Sequence, residues 1–175
     1  GYQYTGAPAY KGQQTWTNSH DAGGFNDCTG CHMEDGDHTF EVEFSSCSGC
    51  HGGTDFSDMG IGVGDDYDTI QAMEVALLAA IKNYGLTMLP NPAGVDYDDH
   101  AYPYWFHAGE LPIYPNKYDD FNFNMLTAAY NYQTSKKEPC GYVHNAEYIQ
   151  QILYDSLDIM DDDTLNGSIV AFTRP

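Results

Sequence analysis

The residues best suited to do chemistry are four of the five cysteines and the histidines that follow them. Cys28-Thr29-Gly30-Cys31-His32 and Cys47-Ser48-Gly49-Cys50-His51 are two copies of one word, C-x-x-C-H. That word is the attachment signature of c-type haem. Two thiols three positions apart on one tight turn can add to the two vinyl groups of a porphyrin. The histidine next to the second thiol then lies under the iron and becomes its proximal ligand. Two competing chemistries use the same thiols. Four thiolates could hold a structural zinc, and a lone C-x-x-C could cycle as a redox disulfide. Neither explains a histidine after both second cysteines. The expectation is two covalent haems c, at Cys28, Cys31 and His32 and at Cys47, Cys50 and His51. Haem c is attached outside the cytoplasm, so the expected compartment is extracellular or cell-surface, with the periplasm as the alternative.

The remaining histidines are His20, His38, His100, His107 and His144, and two six-coordinate irons need only two of them. His38 lies six residues after His32. So short a chain can hardly wrap a porphyrin edge to reach the far side of the same iron, and the second haem is easier to reach. His20 lies eight residues before Cys28 and could serve a nearby iron or a neighbouring molecule. His144 directly precedes a helical pattern. His100 and His107 lie in an aromatic, proline-containing stretch without periodicity.

Several segments together resemble the multihaem c-type cytochromes of metal-reducing bacteria, extracellular electron-transfer proteins of which some form haem filaments. These segments are Cys28–Met33, Gly36-Asp37-His38-Thr39-Phe40, Cys47–His51, Trp16 through Ser19-His20, Ala128–Tyr132, Glu138-Pro139, His144-Asn145 with Tyr148, and Leu153–Ser156. They lie towards both ends of the chain, and the middle carries no motif of that kind. The resemblance implies distal ligation by His38, His20 and His144. Members usually carry four or more haems, whereas this chain has two such sites.

Elements must position these groups. The chain has 175 residues, 42% of them hydrophobic, enough for one domain with a core. The expected fold is mainly α with extensive loops and little β. A haem-organised N-terminal segment, residues 1–57, would precede a helical and loop region, 58–175, within a single domain. Residues 66–84 read as a helix, with Ile70, Met73, Leu77, Ile81 and Tyr84 on one face, Asp68 as cap and Gly85 as stop. A weaker helix is expected over 119–132, with Phe121, Met125, Ala128, Ala129 and Tyr132 inward. A third is expected over 145–160, with Tyr148, Ile149, Ile152, Leu153, Leu157 and Met160 as its stripe. Glu41–Phe44 alternates like a short strand. Residues 89–115, with five prolines, read as an ordered loop.

Charge narrows the partners. Twenty-six acidic residues against 6 basic give −20. A chain so poor in Lys and Arg cannot release counterions from nucleic acid, and it is repelled by anionic membrane surfaces. No apolar run is long enough to span a bilayer. The chain begins at Gly1 rather than Met, which raises the expectation of a removed export signal. The Asp clusters at 65/66/68, 96/98/99, 119/120 and 158/161/162/163 read mostly as solvated faces. Ca²⁺ is a side expectation for them. Cys140 reads as a small buried thiol, an inter-chain disulfide or, least of all, a third haem attachment.

The function expected is electron transfer by a dihaem cytochrome, polymerising head-to-tail into an extracellular filament in which a spare His completes a neighbour's iron. Redox partner proteins or extracellular acceptors would take the electrons. A monomeric periplasmic shuttle is the alternative, its acidity suited to docking a basic partner. A multihaem oxidoreductase would need an open iron position, which five spare histidines disfavour.

Overall fold

The structure, a computed structural model, describes residues 1–10, 28–33, 36, 38–42, 45, 65–90 and 92–175. Helix α1 is Cys28–His32 and α2 is Asp65–Thr87. Strands β1 (Val95–Tyr97) and β2 (Trp105–His107) form an antiparallel hairpin, with Asp96 opposite Phe106. Then follow α3 (Phe123–Lys137), the single turn α4 (Gly141–His144) and α5 (Ala146–Asp162). The chain is mostly helical with loops, and its one sheet among the described residues has two strands.

The core lies where α2, α3 and α5 meet. Ile70, Met73, Leu77, Ile81 and Tyr84 from α2 face Met125, Ala128, Ala129 and Tyr132 from α3, and Ile149, Ile152, Leu153, Leu157 and Met160 from α5. These are the residues the 3.6-residue period selects. Phe121 lies before α3 and is half-buried, packing edge-on against Trp105 and Tyr118.

Helix boundaries shift for identifiable reasons. Helix α3 starts at Phe123 rather than Asp119 because the Asn122 side chain caps it, accepting from the Met125 N–H at 2.9 Å. It runs on to Lys137, where Pro139 prevents continuation. Asp68 lies inside α2 rather than capping it, and Gly85 does not stop that helix. Gly85 is buried instead where the chain returns: a Cβ there would sit 2.9 Å from the Ala93 carbonyl oxygen. It is a close-approach glycine, and the Ala93 N–H donates to its carbonyl at 3.0 Å.

Residues 89–115 are not wholly loop, because the hairpin lies within them. Tyr97 and Trp105 pack on Tyr132 of α3, and Lys82 of α2 bonds Asp96 of β1 at 2.9 Å. The strand expected over Glu41–Phe44 is not formed at Glu41 and Val42, and its second half lies outside the described residues.

Helix α5 is buried over its whole middle, from Ile149 to Met160, rather than along one stripe. The segments 1–10 and 164–175 cover its other sides. Tyr4 donates to Ser156 Oγ at 3.2 Å, Tyr154 to the Ile169 carbonyl at 3.2 Å and Gln151 to the Pro175 carbonyl at 3.0 Å. Buried polar groups on α5 are thereby satisfied. Asp155 and Asp158 are buried too. Asp158 corrects the reading of its cluster as a solvated face: it accepts the N–H groups of Asn166, Gly167 and Ser168 at 2.8–2.9 Å.

Candidate metal centre

Helix α1 is one turn, so Cys28, Cys31 and His32 lie on one face at i, i+3 and i+4. Cys28 is exposed and Cys31 half-buried. The chain then reverses. The Met33 N–H closes on Thr29 O, Gly36 takes a φ of 78°, and its N–H returns to Met33 O at 3.1 Å. The reversal brings Phe40 back to His32, whose Nδ1 lies 2.9 Å from the Phe40 carbonyl oxygen. A carbonyl only accepts, so Nδ1 carries the proton and Nε2 is left with its lone pair. Phe40 holds a φ of 61°, a left-handed conformation costly for a bulky residue. The strain sits at the residue that orients the C-x-x-C-H histidine.

The imidazole that lies near this histidine comes from the far end of the sequence. The His144 ring centre lies 6.3 Å from that of His32, with 60° between the ring planes. His144 ends α4, and its Nδ1 lies 2.8 Å from Glu138 Oε1. An ionised carboxylate only accepts, so His144 too keeps Nε2 free as a ligand atom. Two imidazoles bound to opposite sides of one metal, each through a bond of about 2 Å, have ring centres roughly 6 Å apart. Their planes are free to rotate about the shared axis. The ring separation is the one such a pair would have about an iron, and Cys28 and Cys31 share a turn with His32, where they would carry the porphyrin.

The position of His144 is built by local rules. Pro139 ends α3, the Gly141 N–H donates to Glu138 O at 2.9 Å, and His144 N–H donates to Cys140 O at 2.9 Å. Gly141 allows this turn to press on α5, because a Cβ there would meet Ile149 at 3.0 Å. Cys140 is half-buried rather than fully buried, and it forms no disulfide with the other described cysteines.

The other expected site residues separate into groups. Cys47, Cys50, His51 and His20 lie outside the described residues. His38 is exposed on the loop between α1 and Phe40. His100 is exposed and lies against Asp99, its Nδ1 2.5 Å from the carboxylate. His107 is half-buried and faces Asp119 at 3.3 Å. Asp98, Asp99 and His100 form one ligand-bearing set, and His107, Asp119 and Asp120 another. Both contain an imidazole, which a hard Ca²⁺ shell of oxygen atoms does not use. Asp96, grouped with the first set by sequence, points instead to Lys82 and to the Gly109 N–H. Those two hydrogen bonds hold its carboxyl below the ordinary range.

Sequence reasoning missed Phe40 and Glu138 as partners of the two histidines. Phe40 acts through its backbone, which no side-chain pattern reveals. Glu138 meets His144 across a six-residue turn, a spacing no regular helix presents.

The chain is similar to polyhaem cytochromes. It is 23% identical to the C-type polyheme cytochrome OmcB of Geobacter sulfurreducens, over an alignment covering 82% of this chain and 22% of OmcB. It is 24% identical to the C-type polyheme cytochrome OmcC of the same organism, over 82% of this chain and 21% of OmcC. The chain thus spans about a fifth of the length of these relatives. No protein-family profile and no solved structure matches it. No helix among the described residues is long and apolar enough to cross a membrane.

Proposed function

We propose that this chain is an electron-transfer unit carrying two covalent haems c, one held by Cys28, Cys31 and His32 and the other by Cys47, Cys50 and His51. The observation that carries the reading is the pairing of His32 and His144 at 6.3 Å, with Nδ1 of each ring committed to an acceptor. It matches the chemistry of the C-x-x-C-H word from an independent direction. His144 is the proposed distal ligand of the first haem. His38 is the proposed distal ligand of the second, with His20 next and able to reach a neighbouring molecule.

When bound, each haem supplies one-electron chemistry at iron. His32 and His144, oriented through Phe40 and Glu138, would hold the iron between them. Filled positions exclude substrate, so the role is carrier rather than catalyst. The nineteen-residue offset of the two words keeps the haems close enough for exchange. The similarity to much longer polyhaem proteins supports reading this pair as one section of a longer line of haems. Head-to-tail copies of this chain would extend that line outside the cell. Exposed His100 is available at such contacts. A −20 chain acting alone would instead shuttle electrons to a basic partner.

A redox titration of the mature protein tests the function. Two reversible one-electron components are expected, both low-spin in each oxidation state, with no CO bound on reduction. A high-spin ferric fraction that binds CO or turns over peroxide would instead make the chain an oxidoreductase with an open iron.

A further inference from the structure

We propose that Glu138 is a positioning residue for the axial histidine His144, and that its carboxylate lowers the reduction potential of the iron bound there. The proposal rests on the reading of His144 as an axial ligand and adds what sets its orientation and its electron-donating strength.

Three observations carry it. First, Glu138 Oε1 lies 2.8 Å from His144 Nδ1. The carboxylate accepts the ring proton and leaves Nε2 as the one ligand atom, so a single tautomer and a single ring orientation are favoured. Second, Glu138 is itself held. It follows α3 as the C-cap, its N–H donates to Ser135 O at 3.1 Å, and its carbonyl receives the Gly141 N–H. Ser135 Oγ in turn donates to the buried carboxylate of Glu74 on α2 at 2.6 Å, and Lys136 reaches the same carboxylate at 3.2 Å. The position of the imidazole is thereby referred back to the helical core. Third, the two axial rings have different partners. His32 donates to the neutral carbonyl of Phe40, whereas His144 donates to an anion.

An anionic acceptor draws the Nδ1 proton toward itself and makes the ring a stronger σ-donor, which favours ferric over ferrous iron. The two side chains are 43% and 51% exposed, so water screens part of this effect. The expected size is therefore about tenfold in the oxidised-to-reduced ratio, near the lower end for such outer partners. For one electron that is about 59 mV.

The test uses the full chain matured with haem and three variants, Glu138→Gln, Glu138→Ala and His144→Ala. Glu138→Gln keeps shape and an acceptor oxygen but removes the charge. Both haems should stay six-coordinate and low-spin, and one of the two redox components should rise by about 59 mV. Glu138→Ala should raise the same component and broaden its low-spin electron paramagnetic resonance signal, because the ring is no longer fixed. His144→Ala identifies which component is involved by converting that haem to high spin. If His144→Ala does so but neither Glu138 variant moves a potential, Glu138 has no such role and the axial reading survives. If His144→Ala leaves both haems low-spin and unshifted, the axial reading fails and the inference falls with it.

Discussion

Replacing His144 with alanine is expected to leave both haems covalently attached and to convert one of them from low to high spin. Thioether formation needs the cysteines and the adjacent histidine, which this change does not touch. The lost imidazole is the partner that faces His32 at 6.3 Å. About half of the low-spin absorbance should disappear, since one of two equivalent chromophores changes state. CO should then bind the reduced protein at one site. Added imidazole should restore the low-spin spectrum. The fold should persist, because His144 is exposed at the end of α4 while Gly141 and Tyr142 supply that turn's buried contacts. A His144→Ala protein with an unchanged spectrum would remove His144 from the iron.

Arg174→Ala should produce the largest loss of stability. Arg174 Nε and Nη2 donate to the two oxygens of Asp155 at 2.8 and 3.1 Å, and Nη2 also reaches the Pro8 carbonyl at 3.0 Å. Tyr10 donates its hydroxyl to the same carboxylate and lies under the guanidinium, 5.0 Å from ring centre to Cζ. Burial first, and then the hydrogen bond to Asp155, push the Tyr10 hydroxyl above its ordinary range, so it stays a donor. Asp155 is 2% exposed. Removing the arginine strands that carboxylate with a single phenol, at a cost of about 3–5 kcal/mol. For a chain of this length the melting temperature should fall by roughly 10 °C. Replacing Asp155 and Arg174 together with apolar residues of similar volume should recover most of the loss, since a buried pair is weak evidence for net stability. A single Arg174→Ala change that shifts melting by less than about 2 °C would show that solvent already reaches this carboxylate.

The two cases differ in how far the sequence foretells them. The apolar faces of α2 and α5 follow from period alone, and Ile70, Met73, Leu77, Ile81 and Tyr84 are buried as their spacing requires. The wrapping of α5 does not follow. Gln150, Gln151, Asp155 and Asp158 read as a polar face until segments outside the helix cover them. Gly85 illustrates a different limit. A glycine after a periodic run signals a helix stop, but here the absent Cβ serves a backbone contact with Ala93, and the helix continues past it. The hairpin was illegible because three-residue strands among prolines and aromatics carry too few alternations to register a period.

At the candidate site the division is similar. The C-x-x-C-H words are legible outright, because thiol and imidazole spacing is local. His144 stands out only by resemblance, and its partner His32 is distant in sequence. Phe40 and Glu138 fall in segments that carry the resemblance, but their roles are not legible there, since one contributes a carbonyl and the other a carboxylate delivered by a proline-initiated turn. Cys47, Cys50, His51 and His20 lie outside the described residues, so the second haem rests on its sequence word alone.

The central claim is covalent haem at both words, and intact mass of the mature protein under denaturing conditions tests it most directly. The account predicts the polypeptide plus two haems, unchanged by acid-acetone extraction. It also predicts loss of one haem equivalent when Cys28 and Cys31 are both replaced by alanine. A mass equal to the bare polypeptide, with zinc released on denaturation, would contradict the account and give the four thiols to a structural metal site.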